Sequence, residues 1–459
     1  MPLDPPSGPP GSGGPVSEPA APSWASWLGP RWRGTLARNT AWMAVGQGSR
    51  VALGASYFVV VARALHPDGL GAFAGAVALV ALASPFASLG AGNLMIKHVA
   101  RDPRHFQRYW GGALSTTIIS GLALGILILA CARLVLPPTI SFQLIVCVMA
   151  ADLLFSRILD INGQAYQAHE RLARTAQFPL LISVSRLIAA GLFLAIGDPT
   201  PSRWALWYLG SSALSAAISV AVTWWELGRP ERVIGYPLKE LREGMYFATS
   251  LSAQNIYNDI DKSMLARLST LEATGIYSAA YRLIDVAFVP VRSLLAALYP
   301  RFFQRGARGA RESLAVSRRL LPYAGGYAAV AGMVLYLLAP QLPRLLGADY
   351  RASIGAVRLL ALLPLLKTIH YFAADALTGA GYQGRRTLVQ VIIAVLNIGA
   401  NVPLILLASW RGAAWSSLGS DGMLAIVLWW TLLAACRQED RQRAGSPPVP
   451  VMAVAGGAS

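Results

Sequence analysis

Charged side chains are scarce in this chain. They make up 13% of its 459 residues, about half of the roughly 25% usual in a soluble protein. That shortage excludes a string of water-soluble domains, which a chain of this length could otherwise hold. Cysteine is rarer still. Cys131, Cys147 and Cys436 sit in or beside apolar runs; with no metal spacing and no disulfide framework they read as packing residues. Signatures of catalysis are missing too. Without HExxH, GxxxxGK[ST] or GxSxG, neither metal hydrolysis nor ATP-driven pumping has its parts. No catalytic residue, metal site or cofactor is expected. The GLGAFAG run from Gly69 resembles a dinucleotide loop but follows no soluble strand, so a nucleotide reading is set aside.

What the chain has instead is apolar length. Apolar residues reach 55%, and the formal net charge is +17. A nucleic-acid partner does not follow from that charge, because Lys and Arg lie in short clusters between long apolar runs. This is the pattern of membrane-spanning helices with positively charged cytoplasmic connections. A crossing needs about 20 mostly apolar residues. Twelve segments qualify, at roughly 40–64, 70–96, 110–134, 140–164, 174–197, 204–227, 244–267, 274–300, 320–341, 354–378, 387–408 and 412–435. In the sixth, Trp204, Trp207 and Tyr208 at one end and Trp224 and Trp225 at the other resemble two aromatic belts. Small residues four apart, Gly71 with Gly75 and Gly121 with Gly125, suit close helix packing.

The loops give the orientation. With a cytoplasmic N-terminus, the inside connections carry 24 Lys and Arg and the outside ones 7, as the positive-inside rule requires. Both termini are then cytoplasmic and the membrane is the bacterial inner membrane. Residues 1–38 read as a disordered tail, without a cleavable signal, in which Trp24, Trp27 and Trp32 have helical spacing, that of an interfacial segment or of the aromatic flank of the first span. Two halves come next, 39–227 and 243–436, joined by a cytoplasmic linker at 228–242; a second disordered tail runs from 437 to 459. The halves resemble each other. ARALHPDGLGAFAGAVAL from Ala62 aligns without a gap on ARLSTLEATGIYSAAYRL from Ala266, setting Arg63 on Arg267 and Gly71 on Gly275. A second match sets Ala168 on Ala380 and Arg174 on Arg386. Six spans per copy give parallel repeats, which in transporters flank the cargo site.

Ionisable groups at membrane depth are costly and face a cavity or each other. The first half holds Arg50, Asp152, Arg157, Asp160 and Arg186 at such depth. The second holds Asp259, Asp261, Lys262, Arg282, Asp285, Arg292, Lys367, His370 and Asp375, with Asn397 and Asn401 on one face of span 11. Arg157 with Asp160, and Arg282 with Asp285, are three apart and can pair on their own helix. Arg50 and Arg186 have no carboxylate three or four residues away, so they are the better cavity cations. Arg holds phosphate through two parallel hydrogen bonds, which suits an anionic cargo.

NTAWMAVGQGSRVALGASYFVVVARALHPDGLGAFAGAVAL from Asn39 resembles the opening of Wzx-type polysaccharide (O-antigen) flippases, within the MATE-like MOP exporter superfamily. DKSMLARLSTLEATGIYSAAYRL is similar to the family's motif at spans 7 and 8, through Asp261, Lys262, Leu265, Gly275, Tyr277, Tyr281 and Arg282. The turn between spans 10 and 11 matches through Gly379, Gly381, Arg386 and Asn397. The resemblance implies an all-α polytopic fold of about twelve helices in two six-helix lobes around a cavity open alternately to either side. It implies as cargo an oligosaccharide on undecaprenyl pyrophosphate, moved to the outer leaflet by an ion gradient or the membrane potential. Arg50, Arg157, Arg186, Arg282, Arg292 and Lys367 would then hold the anion, and Asn255, Asn258, His370 and Asn397 would line the polar cavity. Asp259, Asp261 and Asp285 are candidates for ion coupling. Membrane lipids, a polysaccharide polymerase and glycosyltransferases are the implied partners. Competing readings are a cation or drug antiporter of the same superfamily, a peptidoglycan-precursor flippase with more spans, and a membrane glycosyltransferase or ligase. That last one needs larger outer loops.

Overall fold

The structure is a computed structural model that describes residues 30–99, 102–169, 171–236 and 258–445, together with Met245, Ser252 and Asn255. Of the tails expected at 1–38 and 437–459 and the linker expected at 228–242, residues 1–29 with Trp24 and Trp27, 237–242 and 446–459 lie outside the described residues, whereas 30–38 and 437–445 are helical rather than disordered. The chain from Ser49 onward forms one compact unit.

Helices are the regular structure found among the described residues, as hydrocarbon demands of a backbone that must satisfy its own hydrogen bonds. Helix α1 (Pro30–Ala83) breaks at His66, whose φ of 55° and ψ of 175° precede Pro67. Proline removes a donor and disfavours helical geometry in the residue before it, so the break falls where two apolar runs meet. The second run turns again at Pro85 through a 3-10 segment, Ser84–Ala87, and resumes as α2 (Ala91–Val99). Helix α3 spans Phe106–Val135. The fourth crossing is interrupted: α4 (Phe142–Met149) and α5 (Ser156–Ala168) flank a π-helical stretch at Ala150–Phe155. Helices α6 (Leu172–Ile196) and α7 (Pro201–Leu227) complete the first half.

In the second half, the described helix 258–268 (α8) is followed by α9 (Leu271–Gly306) and α10 (Ala310–Leu338). The short α11 (Leu342–Leu346) leads to α12 (Ser353–Leu360) and α13 (Leu363–Gly379), which together make one crossing, then α14 (Gln383–Ala408) and α15 (Trp410–Gly445). Among the described residues, eight stretches are long and apolar enough to span a bilayer, and one of them, Gly48–Val99 at 52 residues, can cross twice. The fourth crossing is broken by its π-helical stretch, and the eighth carries Arg282, Asp285 and Arg292. The seventh is described only from residue 258. The chain is an all-α, multi-pass membrane protein with about twelve crossings. Its outer surface agrees: Ile126, Leu407 and Ile426 are 70%, 83% and 72% exposed, a pattern that water would punish and lipid accepts.

Each half has its own core. Phe193, Leu144 and Trp204 anchor the first, and Phe288, Phe302, Phe372 and Leu428 the second. A third cluster joins Ala62 and Leu70 to Tyr277, Tyr350 and Leu360. The belt expectation holds at one end of α7 only. Trp225 is exposed, whereas Trp204 and Tyr208 are buried among Tyr57, Phe73 and Phe193, because aromatic rings find more contact in the core than at the headgroup layer. The spaced glycines do pack closely. A Cβ on Gly71 would stand 1.8 Å from the Leu271 carbonyl oxygen, and one on Gly121 2.7 Å from Leu154 Cδ2.

Candidate binding cavity

The ionisable residues of the first half gather around a cavity of about 390 Å³. It is lined by Arg50 on α1, Asp152 on the π-helical stretch, Arg157 and Asp160 on α5, and Arg186 on α6. The extra residue of a π turn rotates the later part of the helix relative to a regular one, and Asp152 lies within that turn. Its Oδ1 accepts from Tyr208 Oη at 2.9 Å and lies 3.5 Å from Arg186 Nη2. Arg186 also donates to Tyr208 Oη at 2.8 Å, with its guanidinium 4.2 Å from that ring's centroid. Arg157 pairs with Asp160 at 3.1 Å on its own helix.

A larger cavity, about 540 Å³, opens in the second half. Asp259, Tyr281, Asp285, Arg292, Lys367, Asp375 and Arg386 line it, with Asn255 and Asn258. Lys367 Nζ donates to Tyr281 Oη at 2.8 Å and stands 3.8 Å from Asp285 Oδ1. Arg386 reaches Asp375 at 3.4 Å and Thr378 Oγ1 at 2.6 Å. A third cavity of about 190 Å³ is walled by Tyr57, Phe58 and Phe73 from the first half and by Lys262, Tyr281 and Arg282 from the second. Lys262 is paired with Asp259. The three spaces adjoin: Asn255 lines the first two, Ala81 the first and third, and Asp259, Tyr281 and Asp285 the last two.

Charge in this run is unevenly matched. Eight cations face five carboxylates, and each carboxylate already has a cation: Asp152–Arg186, Asp160–Arg157, Asp259–Lys262, Asp285–Lys367 and Asp375–Arg386. Among the described residues, Arg50, Arg282 and Arg292 have no carboxylate within ion-pair distance. Arg282 sits 5.9 Å from the centroid of Phe58, and its buried Nε has no hydrogen-bond partner. Arg292 sits 5.7 Å from the centroid of Phe288. Arg282 Nη2 lies 3.4 Å from where a Gly54 Cβ would stand, and Gly54 is one helical turn from Arg50 on α1. The two unpaired guanidinium groups, one from each half, therefore approach the same stretch of α1.

All six cations expected from the sequence line these cavities, as do Asn255, Asn258, Asp259 and Asp285. Two expectations change: Arg186, expected without a carboxylate, has one, and Asp285 leaves its expected partner. Arg186 is matched across helices by Asp152, a partner that spacing along one helix cannot show. Asp285 turns to Lys367 rather than to Arg282. Three expected residues lie away from the cavities. Asp261 is buried, accepting from Tyr277 Oη and, at 3.0 Å, from Ser417 Oγ. His370 is fully buried, its Nε2 3.2 Å from Asp421. Asn397 donates to Ser416 and Ser420 at 3.1 and 2.8 Å, joining α14 to α15. Asp261 and Asn397 are hydrogen-bonded inside helix packing, where buried polar groups are normally matched, and His370 is enclosed against Asp421, so all three stand apart from the cavity wall. Missed in turn were Arg386, which reads as a loop charge, and Asp421, whose place amid an apolar run was its signal.

The comparisons with known proteins agree with this architecture. A family model described as polysaccharide biosynthesis protein matches residues 36–305. Among curated proteins nothing matches. A multidrug-resistance MATE transporter of the MOP superfamily in its inward-facing conformation superposes with a TM-score of 0.70 at 14% identity, over 87% of this chain and 100% of that one. The outward-facing form of such a transporter gives 0.60 at 15% identity, covering 88% and 96%. A MOP superfamily transporter from Pyrococcus furiosus, described as having a binding pocket of reversed polarity, gives 0.60 at 13%, covering 85% and 94%. These structural likenesses concern the fold.

Proposed function

The chain belongs to the family of polysaccharide biosynthesis proteins, and from that premise we propose that it carries a polyprenyl-pyrophosphate-linked oligosaccharide from the inner to the outer leaflet of the bacterial cytoplasmic membrane. The observation that supports this reading most is the cationic surplus left by Arg50, Arg282 and Arg292 after every cavity carboxylate is paired. A pyrophosphate supplies the missing negative charge, and guanidinium groups bind its oxygens in pairs. Residues 39–227 and 243–436 serve as the two lobes, both termini face the cytoplasm, and the cavity opens to each side in turn. The half-buried amides of Asn255 and Asn258 meet sugar hydroxyls, while the lipid tail stays in the bilayer. A carrier of cationic drugs needs the opposite surplus, so the charge balance speaks against that alternative.

The test uses a strain lacking the chromosomal gene, complemented with Arg50→Ala, Arg282→Ala or both. Each loses a charge-assisted contact to the cargo, worth roughly 2–5 kcal/mol when buried. Surface polymer is expected to fall by at least about tenfold in each single variant at normal membrane abundance, with lipid-linked repeat units accumulating on the inner leaflet. Wild-type polymer in the double variant refutes the cargo reading.

A further inference from the structure

Behind the larger cavity lies a second, closed polar layer that holding an anion does not require. Its centre is His370 on α13, fully buried, with Nε2 3.2 Å from Oδ1 of the buried Asp421 on α15. That distance makes a charge contact, but the angle is not that of a hydrogen bond, and Nδ1 has no partner among the described residues. The site is at mid-depth. His370 lies nine residues from the end of α13 at Gly379, about 14 Å at 1.5 Å per residue, in a core about 30 Å thick.

With a neutral imidazole the pair carries one buried negative charge; one proton turns it into an imidazolium–carboxylate pair of no net charge. Imidazole is the side chain best suited to exchange a proton near neutral pH, and an ionisable pair at membrane depth is a functional candidate. The surroundings bear on this. On α13 the neighbours are Lys367, already held by Tyr281 and Asp285 of α9, and Tyr371, whose ring lies 4.5 Å from the imidazole. From α15, Ser417 stands one turn before Asp421 and bonds Tyr277 of α9 at 2.9 Å and Asp261 of α8 at 3.0 Å. α10 carries Arg311, Glu312 and the exposed Arg318 and Arg319 in its first three turns, and α14 carries Arg385 and Arg386 in its first; beyond these neither helix contributes a charged side chain. The ligand set also chooses the ion. A hard cation such as sodium wants a cage of oxygens; one carboxylate oxygen faced by an imidazole nitrogen suits a proton.

We infer that His370 and Asp421 form the proton-binding site through which the transporter is driven, loaded from the outside by way of Asp261, Tyr277 and Ser417 and discharged toward the cavity past Lys367. This rests on the transporter reading but not on the identity of the cargo. It also moves ion coupling from Asp259 and Asp285, which are held by lysines, to a pair whose cation is created by the proton itself.

The test uses the full-length protein in lipid nanodiscs, with exposed Cys131 replaced by alanine and spin labels at Thr139→Cys and Ala352→Cys. The inter-label distance distribution is recorded from pH 5 to 8 without cargo. The expected result is two populations whose ratio changes by up to about tenfold per pH unit, the limit for one linked proton. His370→Gln and Asp421→Asn each abolish the response, whereas Arg50→Ala with Arg282→Ala keeps it. A pH-independent distribution in the wild type, a response that survives both His370→Gln and Asp421→Asn, or one that follows sodium at fixed pH overturns the inference. A nitrogen-15 histidine spectrum decides independently of any folding defect in the His370 variant, since the chain has only 5 histidines. One imidazole titrates in that range and shifts to lower pH in Asp421→Asn; no such shift overturns the assignment. Failure of the arginine variants to reduce polymer would sink the cargo and leave this result standing.

Discussion

The two halves share a scaffold and differ in what they bury. The register that sets Arg63 on Arg267 also sets Tyr57 on Asp261 and Phe73 on Tyr277. The one that sets Arg174 on Arg386 puts Ile158 opposite His370 and, carried on, Ala205 opposite Ser417 and Leu209 opposite Asp421. Every member of the closed polar layer in the second half therefore has an apolar or aromatic counterpart in the first. Around Trp204 the first half uses that space for rings. Its own ions stay at the cavity wall, as Asp152–Arg186 and Arg157–Asp160. The difference teaches that a duplicated bundle can keep its helix contacts while dividing its charge work. In this chain, one half holds its membrane-depth ions at the cavity wall, and the other also keeps a set enclosed in helix packing.

The largest effect that would break this comparison belongs to Asp152 and Arg186. Both side chains are 18% exposed, so removing one leaves the other largely buried and unmatched. A loss of about 3–5 kcal/mol is expected for Asp152→Ala or Arg186→Ala, read as a lower unfolding temperature of the purified protein and reduced membrane abundance. The combination Asp152→Asn with Arg186→Gln restores most of it. If Arg186→Ala leaves stability intact while abolishing polymer, then Arg186 is a cargo ligand and the first half is less structural than its pairing implies.

Much of this was legible from residues alone, for particular reasons. The hydrophobic runs and the glycine spacing are local, so they report spans and close packing directly. Helix breaks were partly legible, since Pro67 marks one, but nothing near Ala150 announces a π turn. Charge pairing was legible only along one helix. Arg157 with Asp160 could be read. Arg186 with Asp152 and Lys367 with Asp285 are made between helices, and two residues many positions apart carry no mark of their meeting. For the same reason His370 and Asn397 read as cavity polar groups when they join helices to α15.

A middle-sized effect sharpens the symmetric side of the comparison. Gly71 and Gly275 are repeat-equivalent and meet opposite sides of one junction: a Cβ on Gly71 would stand 1.8 Å from the Leu271 carbonyl oxygen, and one on Gly275 1.9 Å from that of Pro67. Backbone cannot rotate away as a side chain can, so Gly71→Ala and Gly275→Ala should each push the halves apart at the end where α1 kinks. Overpacking of this kind costs about 1–3 kcal/mol. It should raise the labelling of Ala352→Cys by a membrane-impermeant thiol reagent added outside, to similar extents for both glycines. An effect from only one of them would mean that the repeat is not a functional symmetry at this junction.

The smallest effect is the most discriminating for the cavity wall. Arg157 and Asp160 line the same space as Arg50, yet they are 32% and 45% exposed and pair three residues apart on one helix. Water screens such a pair, and it contributes no more than about 0.5 kcal/mol. If cargo is held by cations without a protein partner, Arg157→Ala should leave polymer within about twofold of wild type, a limit set by that energy. Asp160→Ala should then do the opposite of harm. It frees Arg157 to act as a fourth unpaired guanidinium beside Arg50, so cargo binding to purified protein should tighten while export slows, because a carrier must also release what it holds. Polymer loss from Arg157→Ala as deep as that from Arg50→Ala would show that pairing in this structure does not decide which arginines face the cargo.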